Sequence, residues 1–171
     1  MKEQIEAYAK RLKLSWIREH YHEIKAENNY DYLLQLFERE IENREERKVN
    51  LLLKQAQLPK TGDQPFQWEH IQIPQGIDRD SILQGKFIHK KENLILYGGV
   101  GTGKTYLATL IGLSAIHSYG TKVKFFTLAA LANKLIEANQ NGSLPRLIKQ
   151  LERLELLILD ELGYIPLHKD G

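Results

Sequence analysis

The residues best suited to chemistry lie in one short stretch, GGVGTGKT, running from Gly98 to Thr105. Gly98, Gly103, Lys104 and Thr105 fit the spacing G-x-x-x-x-G-K-[ST]. A polyphosphate can be held by several backbone N–H groups that converge on one point, and side chains would obstruct them. Gly98, Gly99, Gly101 and Gly103 keep that path open. A helix starting near Gly103 adds the positive end of its dipole. Lys104 would then reach the β- and γ-phosphates, and the Thr105 hydroxyl would ligate Mg²⁺. The expected nucleotide-binding set is Gly98, Gly99, Val100, Gly101, Thr102, Gly103, Lys104, Thr105 and Tyr106.

A second stretch supplies acids. LELLILDELG is an apolar run that ends in Asp160 and Glu161. An acidic strand end of this kind supplies the Mg²⁺-side carboxylate in phosphate-loop proteins, which assigns Asp160 to the metal. Glu161 beside it is placed to orient and deprotonate an attacking water. Lys104 and Glu161 are therefore the expected catalytic pair. A base dedicated to water suits a hydrolase better than a small-molecule kinase. No N-K-x-D stretch is present to read guanine, so ATP is the expected nucleotide.

These groups need elements to position them. Leu94–Tyr97, Val123–Phe126 and Leu156–Leu159 are short, nearly continuous apolar runs, the pattern of strands buried on both faces of a parallel sheet. Lys104–Ser118, Leu128–Gln140 and Leu144–Leu154 have helical periodicity. The alternation predicts an α/β fold, a phosphate-loop parallel sheet. Its core is expected over residues 77–171. Residues 58–76 read as a linker, rich in Pro, Gly, Asp and Gln, with Phe66 and Trp68 laid against a surface.

Residues 1–57 read as a small, strongly charged helical domain. Leu33, Leu36, Phe37, Glu40 and Ile41 share helical spacing, with Asn29 or Asp31 as the expected cap. EREIENREERK reads as a solvated helix laced with opposite charges. Trp16, with neighbouring Tyr21 and His20, is expected to pack between the N-terminal helices. His20 and His22 point different ways on a helix and are assigned no metal.

The 171 residues carry a net charge of +2, too small to name a partner, and no cysteine, which excludes disulfides and thiol chemistry. MKEQIEAYAKRLK is charged throughout and lacks the apolar centre of a signal peptide, and no run is long enough to span a bilayer. A cytoplasmic protein without membrane attachment is expected.

The phrases LLLKQAQLP, LYGGVGTGKTYLA and above all DELGYIPL carry a resemblance covering nearly the whole chain. The sequence resembles the IstB-like helper ATPases of bacterial insertion sequences, relatives of the DnaC-type helicase loaders in the AAA+ class. That resemblance implies an ATP-dependent, DNA-binding homo-oligomer that assists a transposase, with the N-terminal domain engaging the partner. By analogy with the class, a helix over Ile77–His89 would cover the adenine. Lys134, Arg146, Lys149 and Arg153 become phosphate-contact candidates on DNA. In such ATPases two further strands, a sensor residue and an arginine finger follow Asp-Glu, whereas this sequence ends at Gly171. The expectation is a truncated form with a gap in its sheet, weak or no hydrolysis and poor solubility. A helicase loader, or a non-enzymatic remnant acting through residues 1–57, are the alternatives.

Overall fold

A computed structural model describes residues 1–62, 65–69 and 71–162. Contacts divide the chain into two units, Met1–Asn50 and Leu51–Gly171.

The first unit is helical. α1 (Lys2–Arg11) and α2 (Ser15–His20) are followed by a 3₁₀ turn at Tyr21–Glu23, and α3 begins at Asn29 and runs to Ala56. Ala9, Ile17 and Leu36 form its core, with Leu14, Trp16, Tyr21, Ile24 and Tyr32 packed around them. Trp16 packs against the cluster that Ala9 of α1 and Leu36 of α3 share, the expected packing between helices, and stacks on His20 of its own helix with ring centroids 5.3 Å apart. The cap of α3 is Asn28, not Asn29 or Asp31: its Oδ1 accepts from the amides of Tyr30 and Asp31, both at 3.0 Å. One acid in the charged run is not solvated at all. Glu40 is 3% exposed, and its Oε2 accepts from the Trp16 amide at 2.8 Å and the Ile17 amide at 3.3 Å. α2 has no cap from its own chain segment, so Glu40 takes that part from α3. Arg44 Nε, 2.9 Å from Glu40 Oε1, supplies the countercharge.

The second unit is α/β. After α4 (Arg79–Leu83) and α5 (Lys86–His89) come α6 (Lys104–Tyr119), β1 (Val123–Thr127), α7 (Leu128–Gln140), α8 (Leu144–Leu151) and β2 (Leu156–Asp160). β1 and β2 pair in parallel with Val123 opposite Leu156 and Thr127 opposite Asp160. The two-helix crossover between them is what parallel pairing requires. α6 is apolar on most sides and buries Leu107, Ile111, Ala115 and Ile116. Ile82 joins Leu107 and Ile111 in a core packed by Phe66, Trp68, Leu94, Leu96 and Leu156. The aromatics of the expected linker are thus seated on this core.

Two expected elements differ. Leu94–Tyr97 is extended but belongs to no ladder with another described segment. Leu94 and Leu96 turn to the core, whereas Ile95 is 78% and Tyr97 89% exposed. The apolar run is there, but strand hydrogen bonds need a neighbour. The helix expected over Ile77–His89 is two short ones, broken at Gly85, whose φ of 64° lies in the left-handed region.

The end of α3 is tied to the sheet. Lys124 Nζ on β1 donates to the Gln55 carbonyl at 2.8 Å and to Gln57 Oε1 at 2.7 Å. Burial, and secondarily the charge of Lys134, hold its pKa below the usual lysine value.

Candidate functional site

The glycine-rich loop connects the extended Leu94–Tyr97 segment to α6. Gly98, Gly101 and Gly103 have φ of 152°, 78° and 83°, which side chains disfavour. Gly103 is doubly constrained, because a Cβ there would meet the Phe66 ring at 3.2 Å. The sequence therefore needs glycine at this point for both the turn and the approach of the 65–69 segment. Phe66 in turn lies 5.8 Å from the Tyr106 ring and 4.9 Å from that of Trp68, over which Arg79 sits at 5.5 Å.

Lys104 bends back over the loop. Its ammonium donates to the Gly98 carbonyl at 2.9 Å and the Gly99 carbonyl at 2.6 Å. Thr102 Oγ1 donates to the Gly99 carbonyl at 2.9 Å. Val100 stands 88% exposed at the tip. The loop and the lysine that begins α6 are thus drawn together at the start of that helix, where a polyanion is best received.

The acidic end of β2 comes to the same place. Thr105 Oγ1 donates to Asp160 Oδ2 at 2.6 Å across 55 residues of sequence. A hydroxyl and a carboxylate brought together are two hard oxygen donors, the chemistry that suits Mg²⁺. Register explains the arrival: Asp160 is the last residue of β2, paired with Thr127 at the end of β1. Glu161 follows with φ of 60°, its amide donating to Asp160 Oδ1 at 2.9 Å. The phrase DELGYIPL passes outside the described residues at Gly163.

Residues 7–171 match the family of IstB-like ATP-binding proteins. This chain belongs to that family. It is similar to an insertion sequence IS21 ATP-binding protein of Pseudomonas aeruginosa, 35% identical over 98% of this chain and 65% of the relative. It is likewise similar to an insertion sequence IS5376 ATP-binding protein of Geobacillus stearothermophilus, 35% identical over 98% of this chain and 69% of that one. An insertion sequence IS232 ATP-binding protein of Bacillus thuringiensis is 30% identical over 79% of this chain and 54% of its own length. The chain spans about two thirds or less of the length of these relatives. The α/β phosphate-loop fold of the IstB-like family and the architecture of the second unit agree.

Phe66 and Trp68 are the site neighbours that motif reading did not place. Their only signal was two aromatics in an otherwise polar linker. Lys134 and Arg146 border one groove between α7 and α8, also lined by Glu137, Asn141, Ser143 and Gln150. Lys149 and Arg153 are not among its lining residues. Among the described residues no cluster of three or more His, Asp or Glu could hold a metal. No helix among them is long and apolar enough to cross a membrane.

Proposed function

We propose that this IstB-like chain binds Mg·ATP at Gly98–Thr105 and belongs to a cytoplasmic helper ATPase that assembles on DNA and assists a transposase. The loop amides and Lys104 bind the phosphates. Thr105 and Asp160 would hold Mg²⁺, which supplies charge neutralisation at the β- and γ-phosphates. Glu161 orients and deprotonates the water. Val100, Thr102 and Tyr106 complete the proposed nucleotide-binding set. The single observation behind the reading is the 2.6 Å bond between Thr105 Oγ1 and Asp160 Oδ2 beside a glycine loop. The insertion-sequence names of the relatives support the transposase partner. Lys134 and Arg146, bordering one groove, are proposed DNA phosphate contacts, as are the exposed Lys149 and Arg153. Homo-oligomerisation on DNA belongs to the same reading.

Titration calorimetry tests the core of it. Mg·ATP should release heat with the wild-type chain, and Lys104→Ala should weaken binding at least about tenfold, or about 1.4 kcal/mol. Equal affinity in the variant would overturn the assignment.

A further inference from the structure

α3 carries apolar residues that its own unit does not cover. Tyr30, Leu33, Leu34, Phe37 and Ile41 recur three or four positions apart, so they share one stripe of the helix. Every one is exposed, from 48% at Leu33 to 87% at Tyr30, whereas neighbouring Leu36 is 8% exposed in the core. Five such side chains offer on the order of 500 Å², the upper end of what a monomer leaves uncovered. Helical geometry at 100° per residue sets Asp31, Glu38, Glu42 and Glu45 along one margin of this stripe. Asp31 receives the Gln35 amide and Glu42 pairs with Arg39, whereas Glu38 and Glu45 form no hydrogen bond or ion pair among the described residues. The other margin is the side of the core, where Arg44, its side chain 53% exposed, is paired with the buried Glu40. The open margin is therefore acidic.

We propose that the stripe docks an amphipathic helix of another protein, one whose apolar ridge is flanked by lysines or arginines. Tyr30, Leu34, Phe37 and Ile41 supply anchors at i, i+4, i+7 and i+11, the spacing with which one helix reads another. The acidic margin fixes the sign of the partner. It also argues against DNA, whose phosphates it repels. An antiparallel second copy of α3 would bring the two acidic margins together, because like edges meet in such a pair. The surface is independent of the phosphate loop.

The test uses the full chain and a labelled synthetic helix of roughly 20 residues. It carries a leucine ridge and lysine-arginine flanks, and a twin carries glutamates in their place. Fluorescence anisotropy should show the basic peptide binding at least about tenfold more tightly than its twin. Phe37→Asp should reduce that binding about tenfold or more, and Glu38→Lys with Glu45→Lys should reverse the preference between the peptides. Lys104→Ala should leave all of this intact, separating it from the nucleotide reading. Helical circular dichroism verifies each variant, and Ile41→Asp replaces Phe37→Asp if that variant loses helix. No binding, equal binding of the two peptides, or binding indifferent to both stripe substitutions would overturn the proposal. So would self-association of the chain that the stripe substitutions abolish, because a second copy would then be the occupant.

Discussion

Glu40 is where a single side chain decides most. Burial alone would favour its neutral form, but the Arg44 guanidinium and the amides of Ile17 and Trp16 outweigh that, and its pKa falls below the ordinary glutamate value. A carboxylate with a depressed folded-state pKa contributes stability that is complete above the unfolded value. That contribution is lost as pH falls through the folded value. The first unit should therefore weaken below about pH 4.5. Glu40→Gln should cost about 1–3 kcal/mol at neutral pH and flatten the acid limb of a denaturation series. A variant with wild-type stability at pH 7 would contradict the capping role. The sequence placed Glu40 on a helical stripe with Leu33, Leu36, Phe37 and Ile41, and an acid among apolar neighbours was the available signal. Its partners, the first amides of α2, lie more than 20 residues away. No local pattern announces a cap delivered from another helix.

At the scale of elements, local chemistry was readable and pairing was not. The glycine loop, Lys104 and the start of α6 are contiguous, so spacing alone located them. α7 runs over Leu128–Gln140 as its periodicity predicts. α8 stops at Leu151, short of the expected Leu154, with the Leu154 amide bonded back to the Leu151 carbonyl in a turn. The apolar run Leu94–Tyr97 has strand composition, but a ladder is a relation between two segments, and composition describes one. Gly112 shows the same limit. It sits mid-helix in α6 because a Cβ would meet Leu58 at 3.0 Å and Ile158 of β2 at 3.1 Å, one neighbour before α6 and one after. Alanine improves helix propensity by about 1 kcal/mol, and overpacking costs about 1–3 kcal/mol. Gly112→Ala should therefore lower stability by about 1 kcal/mol in chemical denaturation. A more stable variant would show that Leu58 and Ile158 give way freely.

For the molecule as a whole, the relevant fact is that contacts divide it at Asn50 and Leu51, inside α3. The sequence expected a helical N-terminal domain and an α/β core, but continuous helical periodicity carries no mark of where contacts change sides. Stability should be separable along the same line. A ligand that binds only the folded second unit stabilises it by about 2.7 kcal/mol at a hundredfold excess over Kd. Hydrogen exchange should then slow in α6, β1 and β2 with Mg·ATP and remain unchanged in α1 and α2. Acid should do the reverse, releasing α1 and α2 first. Uniform protection by nucleotide across the chain would mean that the units unfold as one.

The lysine folded over its own loop gives nucleotide capture a particular character. The Lys104 ammonium already donates to two carbonyls, so an arriving phosphate competes with Gly98 and Gly99 for its N–H groups. Capture is thus an exchange of oxygen partners, with affinity set by the difference between two ligand shells. Dense, multiply charged anions compete well on those terms, and singly charged ones such as acetate or chloride compete poorly.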